Sequence, residues 1–264
     1  MEHMSELLVR VEAAVRETGA RLTELHRPEP TRATDRPAAM RAFAELDAPA
    51  AELLRERLSA LHPQAGWVAE ELDTAVPTSG DWWLCDATDG AIQYLLGLPH
   101  WAVTATLLRD GEPLLAVVHA PQLGLTYTAL CGTGAWLNGR PIAPSRRELA
   151  AAVVATSQPP TVPADPTAVH RAGSSLSAVL SGGVLAVRNL GPTSLQVAQV
   201  GSGHLDAFWE FGLDGANLLP GALIAAEAGA MVTDHTGAPW RPAESAGFLA
   251  AGPGTHAELA RLLS

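Results

Sequence analysis

Two aspartates three residues apart, directly after a short apolar run, are the residues of this chain best placed to do chemistry. The run is Trp82-Trp83-Leu84-Cys85, and it leads into Asp86, Asp89 and Gly90. Continuous apolar residues of this length are typical of a buried strand, so we expect Asp86 at its end and Asp89 at the mouth of the next helix. Two carboxylates that face one small volume repel each other unless a cation lies between them. Such hard oxygen ligands suit Mg²⁺ or a related ion.

The glycine after the aspartates points to a ligand as well as to a turn. Gly90 allows the backbone to approach a ligand closely, and the amides of a helix that starts there can receive a phosphate. The simpler interpretation is that Asp86 and Asp89 only cap this helix. For an isolated D-x-x-D-G the simpler interpretation is favoured, so the rest of the chain has to decide.

Further motifs flank the aspartate pair in a recognisable order. Asp47 and Ala69-Glu70-Glu71 precede it, the segment 134–139 (G-A-W-L-N-G) follows, and Asn217 stands ahead of the Glu227-Ala-Gly229 triplet. This order resembles the inositol monophosphatase family of Mg²⁺-dependent phosphatases. The family pattern is an early Asp, G-E-E, D-P-[IL]-D-G-T, G-A-x-x-N-G, and W-D-x-x-x-G leading into E-A-G-G. The resemblance covers roughly residues 35–239.

The resemblance implies an α/β fold in which helix and sheet layers alternate as a sandwich. It implies one domain over residues 1–264, with an antiparallel sheet and the metal motifs in residues 1–145 and a layered α/β half in 146–264. The site would lie where the two halves meet.

The resemblance also implies a ligand set for Mg²⁺. One cation would be held by Glu70, Asp86 and the Thr88 carbonyl, and a second by Asp86, Asp89 and residue 217. In the family, one cation activates the water that attacks phosphorus and the other stabilises the leaving oxygen. The candidate catalytic residues are therefore Glu70, Asp47 and Asp89.

Further residues match family positions that contact the substrate. The phosphate would rest on the amides of Gly90 and Ala91, while Thr193, Ser194 and Glu210 would line the pocket, with Glu210 near substrate hydroxyls. Arg36 stands where the family carries a phosphate-contacting lysine, and arginine can bind phosphate with two nitrogens. A surface arginine is an equally good interpretation of Arg36.

Three departures from the family pattern fall at or beside these positions. Ala91 replaces the threonine whose hydroxyl orients the attacking water, Asn217 replaces a charged ligand of the second cation, and Ala87 replaces a proline. We therefore expect one Mg²⁺ site and a weakened second one. Asp214 offers a replacement carboxylate, but it lies almost a helical turn before Asn217, so we do not rely on it.

Composition limits the possible partners. A net charge of −11 argues against a nucleic-acid partner, which would need a basic face. The two cysteines lie in apolar settings and do not suggest a disulfide framework. No apolar run is long enough for a membrane span, so we expect a soluble, cytoplasmic protein with a small phosphorylated metabolite as its ligand. A homodimer is expected from the resemblance alone.

The hydrophobic pattern predicts the elements that must position these residues. Helical periodicity marks an N-terminal helix, and Asp47 is expected to cap a second helix that ends at His62. Asp110-Gly111 between two apolar runs predicts a hairpin. The predicted helices are 4–26, 47–62, 165–180, 194–200, 217–228 and 255–263, with a loop at 27–37. The predicted strands are 82–85, 101–108, 114–119, 125–130, 135–142, 151–156, 184–187, 207–210, 231–233 and 248–250.

Three classes of function remain open at this point. The first is a Mg²⁺-dependent phosphomonoesterase for a small polyol, sugar or nucleotide phosphate. The second is an enzyme that keeps the pocket but catalyses an elimination, rearrangement or cyclisation in bacterial specialised metabolism. The third is a catalytically impaired binding protein, which the retained carboxylates argue against because they are costly without a cation.

Overall fold

Two sheets form the framework of the computed structural model, which describes residues 2–68, 77–159 and 162–264. The first has seven strands in the order β1-β2-β3-β4-β5-β6-β7, and the second has five in the order β11-β12-β10-β8-β9. The first sheet comprises β1 Gly66–Trp67, β2 Asp81–Asp89, β3 Ala102–Arg109, β4 Glu112–Ala120, β5 Leu125–Leu130, β6 Gly134–Leu137 and β7 Arg140–Pro141. The second comprises β8 Val153–Thr156, β9 Ala186–Arg188, β10 Ala207–Phe211, β11 Met231–Thr233 and β12 Gly247–Ala251.

The helices cover both faces of each sheet. They are α1 Glu2–Leu25, α2 Arg36–Leu61, α3 Ala91–Leu95, α4 Pro166–Ser181, α5 Thr193–Gly201, α6 Gly215–Glu227 and α7 His256–Leu263. Helices α1 and α2 pack on the outer face of the first sheet, and α5 and α6 fill the space between the sheets. Helices α4 and α7 cover the outer face of the second sheet. The expected sandwich of alternating helix and sheet layers is therefore confirmed.

Successive side chains of one strand face two different apolar clusters, which explains why apolar residues follow one another without interruption in the sequence. On β4, Leu115 and Val117 face the cluster with α1 and α2, while Ala116 and Val118 face α5 and α6. Because successive side chains point to opposite faces of a strand, a strand covered on both faces needs apolar residues at every position. The same pattern marks β12, and β10 follows it except at Glu210.

The predicted hairpin is confirmed in detail. Strands β3 and β4 pair antiparallel with Arg109 opposite Glu112, and Asp110 and Gly111 form the turn with φ of 53° and 87°. Positive φ angles at both turn residues are typical of the two-residue turns whose backbone twist matches the right-handed twist of the paired strands. In the second half of the chain, the predicted helices and strands differ from the observed ones only at their ends.

The predicted start of the second helix is wrong. Helix α2 begins at Arg36, with Asp35 as its N-cap accepting a hydrogen bond from the Ala38 amide. Asp47 lies in mid-helix, and Pro49 is inside the helix. Proline inside a helix usually ends it. Here the burial of Ala50, Leu54 and Leu58 and good helix formers before Asp47 keep the helix continuous. No helix in the described part of the chain is long and apolar enough to cross a membrane.

Candidate active site

The end of β2 carries the aspartate pair, but the strand continues further than predicted. It runs to Asp89, and its pairing with β3 shifts register between Asp86 and Asp89. Within this irregularity the Thr88 amide donates to Asp86 Oδ1 over 2.8 Å. Asp89 is almost fully buried and Asp86 is half-buried. The irregularity lets both aspartates stand at one end of the strand.

Gly90 makes the turn from β2 into α3. Its φ of 91° lies in the left-handed region, where a side chain would be strained. A Cβ atom at this position would also stand 3.0 Å from the His100 carbonyl oxygen and 3.2 Å from Trp101 Cα. Ala91 is the first residue of α3, which is only five residues long. The backbone therefore passes here through a space that only glycine fits.

Helix α5, from the second half of the chain, contacts the aspartate pair at the end of β2. Ser194, which is fully buried, donates its hydroxyl hydrogen bond to Asp89 Oδ2. Thr193, the first residue of α5, is also buried beside it. Residues 105 positions apart in the chain thus meet at one carboxylate.

Glu210 and Asp214 extend this acidic group. Glu210 lies in β10 with 1% of its surface exposed, and neither of its carboxyl oxygens receives a hydrogen bond from the residues that the structure describes. Burial raises the pKa of Glu210 well above the usual glutamate range, and the nearby Asp214 and Asp89 raise this pKa further. Asp214 Oδ1 accepts a 2.8 Å hydrogen bond from the side-chain nitrogen Nδ2 of Asn217, in the first turn of α6.

Asp47 faces the site from the middle of α2. Burial raises its pKa, while the neighbouring Thr88 hydroxyl lowers it. Asp47 Oδ1 and Thr88 Oγ1 have no well-formed hydrogen bond within the described ranges. The side chain of Asp47 therefore lies near the end of β2. Asp47 is not the helix cap that its sequence context predicts.

Arg36 and Glu70 are not among the contacts described above. Arg36 is exposed in the first turn of α2. Glu70 falls in residues 69–76, outside the described part of the chain. Asp214 does reach Asn217 despite their separation of three residues, because this is the ordinary reach between an N-cap and the third helical residue.

The donor chemistry of the group fits a hard cation. Asp47 Oδ1 and both oxygens of Glu210 are buried without a well-formed hydrogen bond from described residues. Buried carboxylates without donors are costly unless a cation or a proton compensates them. Within residues 2–68, 77–159 and 162–264, no three His, Cys, Asp or Glu side chains converge as a complete metal-ligand set. The set predicted for Mg²⁺ includes Glu70, which lies outside these ranges.

Fold and site together define a layered α/β protein with a buried acidic group between its two sheets. The model of the Inositol monophosphatase family matches residues 3–264. An Inositol-1-monophosphatase of Rhizobium meliloti is 34% identical over 202 residues, covering 74% of this chain and 72% of that protein. A Putative Nus factor SuhB of Neisseria meningitidis serogroup B is 33% identical over 218 residues, covering 80% of each. The chain belongs to the inositol monophosphatase family.

A solved structure shares the fold over the whole chain. The inositol monophosphatase of Anabaena superposes with a TM-score of 0.83 at 23% identity, covering 100% of this chain and 96% of that one. The members of this family are phosphoric monoester hydrolases, generally dependent on Mg²⁺, that act on small phosphorylated substrates.

Proposed function

We propose that this protein is a Mg²⁺-dependent phosphomonoesterase for a small polyol, sugar or nucleotide phosphate. The observation that carries the proposal is the buried acidic group in which Ser194 binds Asp89 and Glu210 lies without hydrogen-bond donors from the described residues. A pocket of this charge favours a cation over an anionic ligand alone. Bound cations would then make the site attractive to a phosphate.

Residues at the end of β2 and the start of α6 would hold the cations. They are Asp86, the Thr88 carbonyl, Asp89 and, as a neutral ligand, Asn217, together with Glu70, which precedes β2 in the sequence. Bound Mg²⁺ supplies Lewis acidity toward the phosphate and lowers the pKa of water. Ser194 holds the Asp89 carboxylate in place by its hydrogen bond. The amides of Gly90 and Ala91 receive the phosphate, while Thr193 and Glu210 line the substrate side.

Asp47 and Thr88 are suited to handle the proton of the attacking water. The hydroxyl that the family carries at position 91 is absent here, but Thr88 places a buried hydroxyl next to Asp47. A buried carboxyl with a raised pKa holds a proton more readily than an exposed one. We therefore assign the Asp47–Thr88 pair to orienting this water and accepting its proton.

The test is phosphate release from a panel of sugar, inositol and nucleotide monophosphates, with and without Mg²⁺. Metal-dependent release from at least one compound, abolished by Asp86→Asn, is the expected result. Asp86→Asn is also expected to lose Mg²⁺ binding in calorimetry. Unchanged Mg²⁺ binding in that variant would show that the ligand assignment is wrong.

The second candidate is an enzyme that uses the same pocket for a non-hydrolytic reaction, and Ala91 and Asn217 favour it. Losing a charge-assisted contact costs about 1.5–3 kcal/mol. Since about 1.4 kcal/mol is tenfold in rate, each change would slow hydrolysis by about ten- to a few hundredfold. The double variant Ala91→Thr/Asn217→Asp should raise phosphate release if hydrolysis is the native reaction. No gain would favour the repurposed pocket, and Mg²⁺ binding without any turnover would favour a binding protein.

A homodimer is part of the same proposal. Exposed apolar side chains in and after α3 support it, namely Ile92, Leu96 and Leu98. Light scattering of the purified chain should give twice the monomer mass. A monomer at all concentrations would contradict this part alone.

A further inference from the structure

Three buried carboxyl groups from three different elements lie near one another between the sheets. Asp89 ends β2, Glu210 lies in β10 and Asp214 precedes α6, with exposed fractions of 6%, 1% and 7%. Ser194 donates to Asp89 and Asn217 donates to Asp214. Glu210 lies in this group beside Asp214 and Asp89, and neither of its oxygens has a well-formed hydrogen bond with the described residues. When all three carboxyl groups are ionised, the group holds more negative charge than its neutral donors compensate.

Asp214 is not used as an ordinary helix cap. It occupies the N-cap position of α6, where an aspartate usually accepts from a backbone amide one turn into the helix. Its side chain makes no such bond and instead accepts from Asn217 Nδ2 over 2.8 Å. Its carboxylate also lies within reach of the Glu210 carboxyl group, so it belongs to the acidic group as well as to the start of the helix.

The contact also decides the orientation of the Asn217 amide. An ionised carboxylate only accepts hydrogen bonds, so Asn217 must present its nitrogen to Asp214. The carbonyl oxygen of the same amide then points away from Asp214. A carbonyl oxygen is an acceptable neutral ligand for Mg²⁺.

We propose that Asp214 and Asn217 work as one unit toward the cation. Asp214 supplies the negative charge, and by accepting from the Asn217 amide it directs the Asn217 carbonyl oxygen toward the ligand position. The division of charge and coordination over two residues replaces the single aspartate that the family pattern carries at position 217. This inference rests on the proposed metal-dependent function, and it makes Asp214 a positioning residue.

Two substitutions at position 214 separate charge from orientation. Asp214→Asn removes the charge but keeps an oxygen that can accept from Asn217, and asparagine is also a good N-cap. Asp214→Ala removes both. Glu258→Gln, on the exposed first turn of α7, is the matched control for the loss of one negative charge.

The readout is affinity for Mn²⁺ and Mg²⁺ by calorimetry and by the Mn²⁺ paramagnetic resonance signal, on the full chain. Residues that orient metal ligands typically contribute about 10–100-fold to affinity. We expect a loss in this range for Asp214→Asn, a larger loss for Asp214→Ala, and no change for Glu258→Gln. Circular dichroism and thermal unfolding verify that each variant is folded.

The swapped variant Asp214→Asn/Asn217→Asp supplies the decisive comparison. It moves the charge by one helical turn, so we expect it to regain most of the affinity that Asp214→Asn loses. Wild-type affinity in folded Asp214→Asn would overturn the inference while leaving the proposed function intact. A wild-type chain that binds neither cation would overturn both.

Discussion

Replacing the buried Glu210 by glutamine should make the stability of the metal-free protein less dependent on pH. Burial raises the pKa of Glu210 above the usual 4.5, and Asp214 and Asp89 add to this shift. The folded state therefore keeps a proton on Glu210 that the unfolded state releases. The contribution of this proton to the free energy of unfolding is fully present below pH 4.5. It is lost as the pH rises from there to the pKa of Glu210 in the folded state.

The size of the effect follows from one proton. Within that window, one extra proton in the folded state changes the free energy of unfolding by about 1.4 kcal/mol per pH unit. Wild-type protein should therefore lose about 1.4 kcal/mol more than Glu210→Gln for each unit of increasing pH. For a chain of this size, 1 kcal/mol corresponds to about 2–4 °C in Tm. Asp47 contributes with the same sign to both proteins, so its contribution cancels in the difference between them.

The assay measures the free energy of unfolding of both proteins by denaturant, in buffer that contains a metal chelator, at several pH values between about 5 and about 8. Glu258→Gln serves as the control, because it removes an exposed carboxyl without touching the site. Parallel pH profiles for wild type and Glu210→Gln would refute the reasoning. Saturating Mg²⁺ should flatten the wild-type profile, because a cation keeps the carboxylates ionised.

Two further substitutions test single contacts of the site. Thr88→Val should lower kcat for phosphate release by about tenfold or more with little change in KM, because it removes a hydroxyl assigned to orienting water. Stability should stay equal or rise, since the hydroxyl makes no well-formed hydrogen bond with described residues; unchanged kcat would contradict the assignment. Ser194→Ala should cost about 1–3 kcal/mol in denaturant unfolding, because Asp89 loses a buried donor. The exposed Ser174→Ala is its control, and equal stability of the two variants would show that the contact contributes nothing.

Local sequence determined most of the elements and the residue types of the site. Alternating and continuous apolar runs predicted the strands, because successive residues of a strand face opposite sides. The local pattern therefore reflects whether one face or both faces are buried. Asp110-Gly111 predicted its turn because only certain residues adopt positive φ easily. The order of the acidic motifs was enough to indicate the family, to which the chain belongs.

The second helix shows where local reasoning failed. Asp47 before Pro49 has the composition of a helix start, yet the helix begins at Arg36. Packing of its buried face against α1 and the first sheet outweighs the local cost of proline. The same packing turns Asp47 from a predicted cap into a carboxyl that faces Thr88.

Only the tertiary structure decided which distant residues lie together in the acidic group. Ser194 reaches Asp89 because α5 lies between the sheets, and Glu210 is buried beside Asp214 because β10 and α6 meet there. The raised pKa of Glu210 depends on this burial, which no local pattern encodes. The sequence determined the carboxyl groups and their order along the chain. Packing of the two sheets against shared helices excluded water from these groups and brought them close enough for their charges to repel.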